Sequence, residues 1–185
     1  MLPTVLIVPG LRDHAPAHWQ TLLAAQLPRV RCVPPMGRTG DGLDRAARVA
    51  AIEREAQAVV GPLVVVAHSA GCAMVAHWAQ HTRRAVQGAL LVTPPELDRP
   101  MPAGYPSLQA LGDGGWLPVP MAPLPFPSIV GASRNDPLAR FDQVGRMARA
   151  WGSRLADLGE VGHLNPASGH GEWPAAHAFI TELSA

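Results

Sequence analysis

Lysine is missing from this sequence: all 15 of its basic residues are arginine. That absence removes several chemistries, because a phosphate-binding P-loop, a pyridoxal Schiff base and a Ser-Lys dyad each need a lysine amine. Cysteine is scarce as well. Cys32 and Cys72 allow one disulfide at most, and Cys72 lies in a run of small apolar residues that reads as buried helix, so an oxidising compartment is not indicated. No G-x-G-x-x-G follows a strand, which excludes a dinucleotide fingerprint. No stretch approaches the ~20 apolar residues of a membrane span, and the N-terminal stretch from Met1 to Val8 has no basic leader and too short an apolar run for a signal core, so a cytoplasmic protein with no membrane partner is expected. The net charge of +1 supplies no field for nucleic acid or an acidic membrane surface.

What is present is an apolar chain, 48% hydrophobic, long enough at 185 residues for a single domain spanning 1–185 with a sizeable core. Apolar runs at 4–8, 63–67, 86–92 and 128–132 read as strands, and 30–33 and 154–158 as shorter ones. Between them lie helical patterns. The first opens near Pro16, carries Trp19, Leu22, Leu23 and Leu27, and stops at Pro28; the next, capped by Asp41 or Asp44, places Val49, Ile52, Ala56 and Val59 on one face. Others run from Ser69 to about Thr82, over Phe141, Val144, Met147 or Ala148, and Trp151, and over Ala176, Phe179 or Ile180, and Leu183. Strands alternating with helices predict a mostly parallel sheet of about six strands with helices on both faces, and such sheets gather reactive groups at the carboxyl ends of their strands. The Pro/Gly-rich segment from Pro94 to Pro127 has no period; it reads as a cap over a pocket, lined by Met101, Tyr105, Leu108, Leu111 and Trp116, or as a structural crossover.

One stretch combines these signals. Leu63-Val64-Val65-Val66-Ala67 is a doubly buried strand, and Ala70-Gly71-Cys72-Ala73-Met74 a helix, so the chain must turn sharply at Ser69. Small residues two before and two after the serine, Ala67 and Gly71, are what a nucleophile elbow needs. Serine requires a base within hydrogen-bond reach. His163, just past the last strand, is the candidate, and Asp136, after the preceding strand, would hold its other ring nitrogen. The order serine, acid, histidine is that of α/β-hydrolase folds. The backbone N–H groups of Leu11 and Ala70 are the candidate oxyanion donors. His68, Tyr105 and Trp116 are candidate substrate contacts.

Bland readings compete with each of these. Ser69 read alone is a helix cap, and Asp136 before Pro137 an Asx turn. Asp113, Glu96 and Asp98 are rival acids, though none follows the required strand; His170 is a rival base that opens the terminal helix. The pairs His14/His18 and His77/His81 have helical metal-ligand spacing, but Ala15 and Trp78 stand where a zincin carries its glutamate and no third ligand is apparent, so no metal site is expected. Trp19, Trp151 and Trp173 read as core.

Pro9-Gly10, His18-Trp19-Gln20, the Ala67-to-Gly71 elbow, Ser133-Arg134-Asn135-Asp136-Pro137, Gly162-His163-Leu164-Asn165 and Ser168-to-Pro174 together resemble the small α/β-hydrolases of the retinoblastoma-binding-protein-9/YdeN family. The resemblance implies an α/β-hydrolase fold with a minimal lid, Ser69, Asp136 and His163 at the triad positions, and hydrolysis of a carboxylic ester or related acyl compound without a cofactor. Ala67 replaces the glycine common at the start of the elbow. The Leu-x-Cys-x-Glu motif for retinoblastoma binding is absent, so that partner is not implied. The expectation is a serine hydrolase acting on a small-molecule acyl substrate. The alternatives are an aminopeptidase or amidase, and a non-catalytic protein-binding module that uses the long loop. A base must be neutral, so hydrolysis is expected to decline below about pH 6 to 7, where histidine ordinarily protonates.

Overall fold

A computed structural model describes residues 2–11, 13–37 and 40–185. Its centre is a sheet of β1 (Thr4–Val8), β2 (Val30–Cys32), β3 (Leu63–His68), β4 (Gly88–Val92), β5 (Ser128–Ala132) and β6 (Arg154–Asp157), in the spatial order β2-β1-β3-β4-β5-β6. Every pairing is parallel. Parallel neighbours need crossovers, and these are supplied by α1 (Trp19–Gln26), α2 (Arg45–Gln57), α3 (Ala70–Ala79), α4 (Leu108–Asp113) and α5 (Phe141–Trp151), while α6 (Ala175–Leu183) follows the last strand and packs back on the sheet.

Alternate side chains of each strand serve opposite faces, which explains the unbroken apolar runs. On β3, Val65 and Ala67 join Ile52 of α2, Met74 and Trp78 of α3, and Met147 and Trp151 of α5 in one core. Val64 and Val66 turn the other way, to Trp19 and Leu23 of α1 and Ile180 and Leu183 of α6. Each large side chain sealed in this way contributes about 1.5–3 kcal/mol.

Several element ends differ from the sequence pattern, each for a local reason. The first helix opens at Trp19 rather than near Pro16, because His18 is extended (φ −78°, ψ 140°) and its side chain caps the helix by accepting the Gln20 N–H. Asp44 caps α2 through the Ala47 N–H at 3.1 Å; the Asp41 side chain lies outside the described residues. The fourth strand starts at Gly88, two residues later than its apolar run. The closing helix opens at Ala175, so His170 does not open it; the His170 N–H instead bonds the Asn165 carbonyl at 3.1 Å.

The segment from Pro94 to Pro127 is the largest correction. It contains α4, and Leu97, Leu111, Trp116, Leu124 and Phe126 all enter the core on the α2/α3/α5 side. Trp116 is fully buried, its indole N–H bonded to the Leu43 carbonyl at 2.7 Å and its own carbonyl accepting from His77 Nε2 at 3.0 Å. Trp116 is therefore not a substrate contact. Most of the segment is a structural crossover whose apolar residues carry no helical period because they are anchored singly.

Candidate active site

The carboxyl ends of the strands converge on one cleft. Ser69 sits between β3 and α3 at φ 56°, ψ −132°, a conformation costly for a residue with a side chain, by about 1–3 kcal/mol. Its N–H is tied to the Val92 carbonyl at 2.9 Å. The turn passes close to β1: a Cβ on Gly71 would lie 2.7 Å from the carbonyl oxygens of both Val8 and Pro9, so only glycine fits there.

His163 reaches over the sheet end from the loop after β6. Its Nε2 is 2.7 Å from Ser69 Oγ, and its Nδ1 is 2.9 and 3.0 Å from the two oxygens of Asp136. Both side chains are almost wholly shielded, at 5% and 1% exposure, which strengthens the pair relative to one in water. Nδ1–H donates to the carboxylate, leaving Nε2 to accept from the serine hydroxyl. Asp136 also accepts the Leu138 N–H at 2.9 Å, so the Asx-turn reading holds as well: the same carboxylate closes its own turn and orients the imidazole.

The histidine loop is braced by residues to which the sequence pattern assigned no role. Asn135 Oδ1 accepts the Gly162 N–H at 2.7 Å, and Ser168 Oγ accepts the His163 N–H at 3.0 Å while donating to Asn165 at 2.9 Å. The available signal was position: Asn135 directly precedes the candidate acid, and Ser168 lies five residues after the candidate base. Of the rival acids, Glu96 is engaged by Arg140 and Arg99, which hold its carboxyl below the usual range despite the opposing effect of burial.

The cleft above Ser69 has a volume of about 160 Å³. Leu11, His18, His68, Tyr105 and His163 form its walls with Pro166 and Ala167. Ala70, as the first helical residue, has no intrahelical acceptor for its N–H, and Leu11 faces the same space from the loop after β1. Tyr105 is the one member of the expected cap set placed at this cleft; Met101 lines a separate recess beside Glu96 and Arg140. His68 lines the cleft as well, but its Nε2–H is committed to the His163 carbonyl at 2.9 Å. Burial, then the neighbouring His163 and His18 imidazoles, push His68 well down from the usual histidine range. Among the described residues no three His, Cys, Asp or Glu side chains group as a metal site, and no helix is long and apolar enough to cross a membrane.

With this geometry in view, comparison with known proteins decides the family. A family model described as serine hydrolase matches residues 5–182. The chain belongs to the serine hydrolase family. A search of curated proteins finds no match. Among solved structures, a YdeN-like hydrolase from Pectobacterium atrosepticum is 30% identical, with a TM-score of 0.80 over 98% of this chain and 92% of that one. The ydeN gene product of B. subtilis is 19% identical, with a TM-score of 0.77 over 98% of each chain. Est1E from Butyrivibrio proteoclasticus, solved with ferulic acid bound, is 13% identical, with a TM-score of 0.71 over 98% of this chain and 89% of that one. This serine hydrolase is thus a small α/β-hydrolase of the YdeN type, with a six-stranded, wholly parallel sheet.

Proposed function

We propose that this serine hydrolase cleaves small carboxylic esters through Ser69, His163 and Asp136 by way of an acyl-enzyme. The observation that carries the reading is the continuous hydrogen-bonded line Ser69 Oγ, His163 Nε2, His163 Nδ1, Asp136, with links of 2.7 and 2.9 Å, opening into the cleft. His163 Nε2 takes the hydroxyl proton as Ser69 Oγ adds to the ester carbonyl. Charge develops on the carbonyl oxygen, and the N–H groups of Leu11 and Ala70 are the donors that receive it. The imidazolium is stabilised by Asp136 and gives its proton to the departing alcohol. Water then attacks the acyl-serine through the same base, releasing the acid and restoring the hydroxyl. A cleft of about 160 Å³ supports a short acyl group.

The test is turnover of 4-nitrophenyl acetate, butyrate and decanoate beside the matching acetanilide. Faster turnover of the short esters than of the decanoate or the anilide is expected. Preference for the anilide would favour an amidase, and no turnover of any substrate by folded protein would favour a binding module.

A further inference from the structure

His18 has a ring nitrogen that the fold does not use. Its Nδ1 accepts the Gln20 N–H at 3.2 Å and so caps α1. A nitrogen that accepts carries no hydrogen, so in the neutral ring the proton sits on Nε2. The two nitrogens diverge across the ring, and Nε2–H therefore points away from the helix, on a side chain that lines the Ser69 cleft. No described residue supplies an acceptor for it, and it is not among the sealed, unpartnered nitrogens of the interior, Trp19 Nε1 and Arg45 Nε. Nε2–H is thus neither paired within the fold nor sealed from solvent.

The ring is rigidly placed. Gln20 donates its side-chain amide to the carbonyls of Val8 and Val66, both at 3.1 Å, which fastens the start of α1 to the ends of β1 and β3. The His18 ring packs 4.6 Å from His68, centroid to centroid, and His68 lies 5.0 Å from His163. One imidazole thus separates this donor from the ring that contacts Ser69 Oγ. Burial, then His163 and His14, push His18 down to about 4, so the ring is neutral and its tautomer fixed at neutral pH.

On the reading of Ser69 and His163 as nucleophile and base, we propose that His18 determines specificity: its Nε2–H donates to a neutral acceptor near the scissile carbonyl, selecting esters of short hydroxy- or oxo-acids. An anionic acceptor fits less well. Asp13 lines the cleft too and brings a negative charge near it, its carboxylate accepting the Met36 and Gly37 N–H groups, and no described cation lines the cleft. A plain alkyl ester would displace water from Nε2–H and leave the donor unpaired, which is how a site discriminates against a substrate lacking one oxygen.

The test needs no turnover. Ser69→Ala protein is titrated by NMR with ethyl 3-hydroxybutyrate and with ethyl butyrate, following the His18 Nε2 nitrogen resonance. The hydroxy ester is expected to bind about five- to tenfold tighter and to shift that resonance, which ethyl butyrate leaves in place. Adding His18→Asn or His18→Ser, which retain a capping oxygen but not the reach, should bring the affinity ratio to about one. Equal affinities in the Ser69→Ala protein, an unmoved His18 resonance, or a preference surviving in both double variants would overturn the proposal. Failure of the nucleophile reading shows separately, as wild-type protein that does not react at Ser69.

Discussion

The side chain of His68 donates to the backbone carbonyl of His163 at 2.9 Å, so the residue before the elbow serine grips the loop that carries the imidazole facing it. The two ends of the 2.7 Å Ser69–His163 contact are thereby set by one short covalent step and one hydrogen bond.

Removing that grip should loosen alignment rather than binding. His68→Ala is expected to lower kcat by about 10- to 100-fold with KM little changed, the scale of a misplacement near 1 Å. Steady-state kinetics on 4-nitrophenyl butyrate checks this, and partial rescue by His68→Gln would separate the hydrogen bond from the loss of packing. Equal falls in kcat and thermal stability with no rescue would mean that His68 acts only as core.

Gly162, just before His163, holds φ at +57°, and a Cβ there would meet Ser168 Oγ at 2.6 Å and Ser168 Cβ at 2.7 Å. Gly162→Ala should therefore cost about 1–3 kcal/mol, combining backbone strain with displacement of the serine that holds the His163 N–H. For a chain of this size the melting temperature would fall by roughly 2–4 °C per kcal/mol, measurable by circular dichroism.

Burial and neighbouring imidazoles lower His18 from its ordinary 6.5 to about 4. The unfolded chain therefore takes up this proton first, and stability is lost as pH falls from about 6.5 towards about 4, levelling off below. For His18 the loss is on the order of 3 kcal/mol, and the buried His68 adds in the same direction. Urea midpoints at pH 7 and pH 4.5 should differ more for wild type than for His18→Asn, which keeps the cap without the imidazole. Equal differences would remove His18 from this account of acid sensitivity.

The centre of the sheet was legible because β1, β3, β4 and β5 are buried along their whole length, so the apolar runs marked β1 and β3 to within a residue. That Ser69, Asp136 and His163 come together was legible because chain order and strand ends are properties of one dimension. The wall of the cleft was not. Trp116 and Tyr105 sit eleven residues apart in one irregular segment, yet Trp116 is sealed in the core by hydrogen bonds to Leu43 and His77 while Tyr105 reaches the cleft. No periodicity separates them, because the sorting depends on distant partners. His18 was hidden differently: with metal-like spacing from His14 but no third ligand it read as a packing or surface histidine, whereas its Nδ1 is spent on capping a helix that starts three residues later than Pro16.

The most direct measurement is mass spectrometry of the intact protein and its peptides after reaction with a fluorophosphonate. Wild type should gain one adduct, mapped to Ser69, with no adduct in Ser69→Ala and labelling slowed by about 10³-fold or more in His163→Ala. Folded wild-type protein that stays unlabelled, or an adduct on another residue, would contradict Ser69 as the nucleophile.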